Sequence, residues 1–202
     1  MELAFSKNKI SFKKELSPLD RFVLKFVKML KKHKIDYVII SGYIAILFGR
    51  SRETEDVDFF IEEMPFSKFQ EFWNDLVKEF DCLNAADAKD AYENYLKEKL
   101  AIRFALKNTF IPNCEIKFPK TKYNNYSLIN KVEVLLNSNK LNTSEIELQI
   151  AFKLKLGSEK DFEDARHLYK VFKEHLDIDL LKSHIKELMV QKEAERILWK
   201  NY

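Results

Sequence analysis

The chain has 202 residues, 46% hydrophobic and 13% aromatic, which excludes a disordered protein and suffices for one compact domain, or for a domain with a helical appendage. Its 35 Lys and Arg against 32 Asp and Glu leave a formal charge of +3, so the whole-chain balance singles out no class of partner. Cys82 and Cys114 lie far apart without metal-ligand spacing, no apolar run approaches membrane-spanning length, and the N-terminus lacks the apolar stretch of a signal peptide; the expectation is a soluble, cytoplasmic chain with reduced thiols and no membrane partner.

The charge is unevenly spread. From Lys7 to Lys34 there are ten basic residues and two acidic ones, a local +8 that leaves −5 for the remainder. Such a segment can meet RNA, DNA or an acidic partner, although a solvated lysine face is its commoner use. Within it, Ser17-Pro18 predicts a helix start, and Leu19, Phe22, Val23, Phe26 and Leu30 recur at helical spacing to about Lys34. An apolar strand, Tyr37 to Ile40, then ends in Ser41-Gly42. After a short apolar segment bounded by Gly42 and Gly49, Asp56-Val57-Asp58 opens a second strand that continues through Ile61. Alternation puts Asp56 and Asp58 on one strand face and Val57 and Phe59 on the other. Paired carboxylates beside a turn able to hold phosphate suggest a divalent metal and a nucleotide.

Met64-Pro65 breaks the pattern, and Phe69, Phe72, Trp73, Leu76 and Phe80 predict an amphipathic helix from Phe66 to Phe80. Residues 84–99 read as a more polar helix. Strands are expected at Ala101–Leu106 and Cys114–Phe118; in the latter Cys114, Ile116 and Phe118 alternate with Glu115 and Lys117, which turns Glu115 away from the apolar face. Residues 120–130 read as a polar loop, Lys131–Leu136 as a strand and Asn137–Asn142 as a turn. From Thr143 the pattern becomes helical, with Ser144 and Glu147 as a capping box and Ile146, Ile150 and Leu154 as the stripe. A second helix is expected from beyond Gly157 to about His175, and a third from Asp179 to Lys200. The expected division is a core over residues 1–136 and a helical subdomain over 137–202.

The line Ser41-Gly42, thirteen residues, then Asp56-Val57-Asp58-Phe59 resembles the signature of the DNA polymerase beta-like nucleotidyltransferase superfamily. The run Arg52-x-Thr54-x-Asp56-x-Asp58 looks most like its minimal, AbiEii-type members. So does the later block in which Lys153-Leu154 and Gly157 are followed by Lys160-Asp161-Phe162-Glu163-Asp164. Two departures are plain: Ser41 stands where a glycine is expected, and Ser158 where an arginine is common.

This resemblance implies an α/β (α+β) fold: a small mixed sheet with helices packed on one side and a C-terminal helical subdomain whose Lys153 faces the cleft. It also implies transfer of an NMP from an NTP by a two-metal mechanism using Mg²⁺ or Mn²⁺. Asp56, Asp58 and Glu115 then become the metal-binding and catalytic carboxylates. Ser41, Gly42, Arg52, Lys153 and Asp161 become the NTP- and phosphate-binding set, with Asp164 assigned to structure. The implied acceptor is RNA, tRNA included, or protein, in a toxin-type enzyme with a cognate antitoxin; the oligomeric state is open. Two alternatives stand beside it: transfer to a small molecule, as in antibiotic nucleotidyltransferases, and a catalytically degenerate fold serving as a binding or antitoxin module.

Overall fold

Ser17 caps the first long helix, α1 (Pro18–Lys32), in the computed structural model, which describes residues 2–6 and 8–199. Its hydroxyl accepts the Asp20 N–H at 3.0 Å while its own N–H donates to Asp20 Oδ2 at 2.8 Å. Asp20 is fully buried and also accepts the Tyr43 hydroxyl at 2.8 Å. One capping residue thereby ties α1 to the segment after Gly42. Lys7 and Lys200, which bounded the basic segment and the last helix in the sequence reading, lie outside the described residues.

The strands are β1 (Ala4–Ser6), β2 (Lys9–Phe12), β3 (Tyr37–Ile40), β4 (Asp56–Ile61), β5 (Phe80–Cys82), β6 (Ile102–Leu106), β7 (Asn113–Lys117), β8 (Val132–Leu136) and β9 (Asn139–Thr143). Among the described residues they form one nine-stranded mixed sheet in the order β1-β2-β8-β9-β3-β4-β7-β6-β5. The pairs β2/β8, β3/β9 and β4/β7 are parallel and the others antiparallel. The helices after α1 are α2 (Gly42–Leu47), α3 (Phe66–Leu76), α4 (Ala88–Asp90, continuing as a π-helical stretch to Leu96), α5 (Lys122–Ile129), α6 (Ile146–Leu156), α7 (Glu159–Phe172), α8 (Ile178–Glu187) and α9 (Gln191–Ala194, continuing to Trp199).

Alternation in β4 decides which face carries what. Val57 and Phe59 are fully buried, and Phe59 packs on Phe26 of α1 with ring centroids 5.4 Å apart; Phe26 in turn meets Phe72, Phe80 and Phe104. Asp58 and Phe60 point to the opposite face, where α5 and α6 stand over a cavity. Helices thus cover both faces of the sheet, a correction to the one-sided packing expected from sequence. The basic face of α1 is separated from Asp58 by the whole thickness of the sheet.

Several elements differ from expectation for identifiable reasons. Residues 4–12 form a hairpin that extends the sheet through β2 and β8. The helix read as far as Phe80 ends at Leu76, and Phe80 buries its ring from β5 instead. Residues 122–129 are helical because Thr121 and Asn124 form a reciprocal capping box, which compensates for a polar sequence with no apolar stripe. The turn expected over Asn137–Asn142 is only Asn137-Ser138, both at positive φ; β9 follows and inserts next to β3. Helix α6 is preceded by Glu145 with no side-chain cap. The expected third C-terminal helix is two, divided at Met189, whose φ is 56°. No helix among the described residues is long and apolar enough to cross a membrane.

Candidate active site

The turn from β3 to α2 places the first site residue. Ser41 has φ 65° and ψ −139°, a backbone state that L-residues rarely adopt. Gln149 of α6 holds it there from both sides of the residue. The Ser41 N–H donates to Gln149 Oε1 at 3.2 Å, and Gln149 Nε2 donates to the Ser41 carbonyl at 3.1 Å. The backbone N–H of Ser41, a residue expected from sequence to bind phosphate, is therefore already engaged. Its hydroxyl makes no capping bond to α2, and the residue lines the cavity. Gly42 lies in a close approach: a Cβ at this position would displace the Arg52 guanidinium, which Asp164 holds.

Register assembles the carboxylates. Ile40, immediately before Ser41, pairs with Asp58 of β4, and Asp58 pairs with Glu115 of β7. In-register neighbours on one sheet face have side chains close enough to share a ligand. Asp56 lies two residues earlier on the same face at the exposed start of β4, where Thr54 Oγ1 donates to its Oδ1 at 3.2 Å. Each of the other two carboxylates meets one cation among the described residues. Lys117 Nζ donates to Asp58 Oδ1 at 3.2 Å, and Arg103 Nε donates to Glu115 Oε1 at 2.6 Å.

The cavity beside Asp58 measures about 230 Å³. Ile40, Phe60, Phe152 and Leu156 form its apolar wall, while Ser41, Asp58, Lys117, Ser127, Ser144 and Gln149 give it polar atoms. Behind it, Glu145 and His184 form a buried pair, Nε2 to Oε1 at 2.6 Å, that ties α8 to the start of α6. Tyr126 donates to the other Glu145 oxygen at 3.4 Å; burial first, then the Glu145 charge, pushes its hydroxyl up to about 12.

Lys153 does not line this cavity, which corrects the expectation that it faces the cleft. Gly157 ends α6 at φ 77°, so α7 folds back along it and brings Asp161 and Asp164 onto Lys153 at 2.7 and 2.9 Å. Asp164 is wholly buried and Lys153 is 3% exposed. Asp164 also accepts Arg52 through two nitrogens at 3.0 Å each, and it meets Arg50, which reaches Glu163 as well. Burial pushes the Asp164 carboxyl up, but Lys153 and Arg52 outweigh burial and hold it below its ordinary value. Asp161 is likewise held low by Lys153 and Ser158 against its burial. Of the residues expected to bind phosphate, Ser41 and Gly42 stand at the turn, Arg52 lies against Gly42, and Lys153 and Asp161 belong to this ion-pair network.

The donor set suits a hard divalent cation. Asp56, Asp58 and Glu115 offer carboxylate oxygens on one face, and buried Asn113, the register partner of Asp56, leaves its Oδ1 without a hydrogen-bond partner. Lys117 already supplies positive charge where such a cation would contact Asp58. With the side chains paired in this way, no group of three His, Cys, Asp or Glu residues among the described residues is arranged as a metal cage.

Lys117 and Gln149 lie outside the motifs that the sequence singles out. Lys117 carried a signal, because it falls on the face of Glu115 two residues later. Gln149 was signalled only as a polar residue inside an apolar helix.

No curated protein matches the sequence. Among solved structures the fold is similar to that of an antigenic nucleotidyltransferase-like protein from Paracoccidioides brasiliensis, at 16% identity and TM-score 0.51, covering 87% of this chain and 89% of that one. It is also similar to the lincosamide antibiotic adenylyltransferase LnuA, solved with lincomycin bound, at 12% identity and TM-score 0.53, covering 78% and 99%. The antibiotic-resistance factor ANT(2'')-Ia matches at 9% identity and TM-score 0.54 over 89% and 97%. At such identities these likenesses concern the fold. Residues 20–200 match the family described as "Nucleotidyl transferase of unknown function (DUF2204)", and the chain belongs to that nucleotidyl transferase family.

Proposed function

We propose that the protein transfers an NMP from an NTP to a hydroxyl-bearing acceptor at the edge formed by Asp56, Asp58 and Glu115. The observation that carries this is the register that sets Asp58 between the Ile40–Ser41 turn and Glu115, on the wall of a cavity. Asp56 and Asp58, with Glu115, would hold Mg²⁺ or Mn²⁺ for two-metal chemistry. Bound there, the metal would supply charge stabilisation at the α-phosphoryl group and increase the acidity of the attacking hydroxyl. Glu115 orients that hydroxyl and receives its proton as the acceptor oxygen bonds to the α-phosphorus and pyrophosphate leaves. The Ser41 hydroxyl and the Gly42 backbone hold the triphosphate, and Arg52 adds positive charge from behind Gly42 without leaving Asp164. Lys153 and Asp161 act through that network as positioning residues.

The AbiEii-type run from Arg52 to Asp58, with the block from Lys153 to Asp164, supports an RNA or protein acceptor and a toxin-type role with a cognate antitoxin. The basic helix α1 adds nothing to that reading, since it lies on the face of the sheet away from Asp58. A small-molecule acceptor is the second reading. It is favoured by the partly apolar cavity of about 230 Å³ beside Asp58 and by the likeness in fold to an adenylyltransferase solved with lincomycin.

The test is incubation with α-phosphate-labelled NTPs and Mg²⁺ or Mn²⁺ in the presence of total RNA, a protein extract or a small-molecule extract. Label on RNA or protein, lost in Asp58→Ala, supports the toxin-type reading, and label confined to small molecules supports the second. No transfer to any of the three, with NTP binding unchanged in Asp58→Ala, would mean a binding module.

A further inference from the structure

We infer that Lys117 is a phosphate-binding residue that shares Asp58 with the metal: it neutralises the carboxylate while no divalent cation is there and turns to the nucleotide when one is. This rests on the proposed nucleotidyl transfer and extends it to a residue outside the expected motif. Three observations fix the ammonium group. Lys117 is the register partner of Phe60 on the face that carries Asp58, so its stem rises directly beside the site. Its Nζ lies 3.2 Å from Asp58 Oδ1 and 5.6 Å from the Phe60 ring centroid, between a carboxylate and an aromatic face. The residue lines the cavity together with Ser41, where the triphosphate is proposed to sit.

Exposure separates this lysine from Lys153. The Lys117 and Asp58 side chains are 27% and 18% exposed, against 4% and 0% for Lys153 and Asp164. A single contact to a carboxylate at a solvent-reaching wall can be exchanged at small cost, whereas a buried ion pair cannot. With a divalent cation on Asp58, the Lys117 ammonium group would lose its carboxylate partner and meet a like charge. The four-carbon stem allows Nζ to turn within the cavity, where the anionic groups brought by the substrate are phosphate oxygens. Lysine acts there as a compact point charge with three donors.

The experiment compares wild type with Lys117→Met, which keeps the stem and removes the charge, and with Lys117→Arg, which keeps a charge. Titration calorimetry measures Mn²⁺ alone, then a non-hydrolysable NTP analogue with Mg²⁺, and thermal unfolding checks the fold. Lys117→Met should bind Mn²⁺ as tightly as wild type or several-fold tighter, because Asp58 loses a competing cation. Its affinity for the NTP analogue should fall roughly tenfold or more, as expected for a lost charge-assisted hydrogen bond, and Lys117→Arg should recover part of that loss. Unchanged NTP affinity in Lys117→Met overturns the inference and leaves the proposed function standing. Parallel loss of Mn²⁺ and NTP binding in Lys117→Met overturns it in favour of a structural role. Failure of wild type to bind the NTP analogue overturns both.

Discussion

Among the described residues Asp58 meets one cation, Lys117, on the partly exposed wall of a cavity. Asp164 meets three, Arg50, Arg52 and Lys153, with no surface of its own exposed. Both pair an aspartate with basic side chains, and the physical consequences are opposite. A partly exposed pair contributes little to stability and leaves its carboxylate available to a competing cation. A buried carboxylate with three partners fixes the elements that supply them, here the loop after α2 and the two antiparallel helices α6 and α7. Arg52 joins the two regions, since the guanidinium held by Asp164 also packs against Gly42. The chain thus separates a buried ion-pair frame from the partly exposed Asp58 on the cavity wall.

The largest expected effect comes from breaking the frame. Asp164→Asn leaves the buried Arg52 without its carboxylate and Lys153 with Asp161 alone, and should destabilise the fold by about 3–5 kcal/mol, read from the urea midpoint. Asp58→Ala, at the exchangeable pair, should change stability by less than about 1 kcal/mol.

Acid probes the same contrast. Carboxyls held below their unfolded values contribute stability that is complete above those values and is lost as pH falls through the folded ones. Asp161 and Asp164 are both held low in this way. Wild-type stability should therefore decline below about pH 4, and the decline should be shallower in Asp164→Asn, which has one such group fewer. Unfolding followed from pH 6 downward measures both slopes.

A small effect of opposite sign is expected at the turn. Ser41→Gly relieves a positive φ worth about 1–3 kcal/mol of strain and adds about 0.4–1 kcal/mol of unfolded-state entropy. The net result should be a gain of about 1 kcal/mol, with NTP affinity reduced by loss of the hydroxyl. Equal stability in both proteins would mean that the two hydrogen bonds from Gln149 already offset the strain.

What sequence made legible in this molecule was local. Ser17-Pro18 and the stripe from Phe22 to Leu30 announce α1, and alternation through Asp56, Asp58 and Glu115 identifies strands with carboxylates on one face. The Thr121/Asn124 capping box was also present in the sequence, but four polar residues in eight gave α5 no stripe to display it. Phe80 satisfied the helical spacing of α3 while serving β5, since a large apolar side chain fits either period. The frame was legible only in part: the pattern from Lys153 to Asp164 is visible, yet its meaning depends on Arg50 and Arg52, more than a hundred residues away in sequence. The pinning of Ser41 by Gln149 spans 108 residues and has no local signature.

The most direct test of nucleotidyl transfer at this edge is calorimetric titration of wild type and Asp58→Ala with a non-hydrolysable NTP analogue, with and without Mg²⁺. The predicted result is binding by wild type that requires Mg²⁺ and disappears in Asp58→Ala while its unfolding temperature is preserved. NTP binding that is independent of Mg²⁺, or equal in the two proteins, would contradict a metal-bound nucleotide at Asp58.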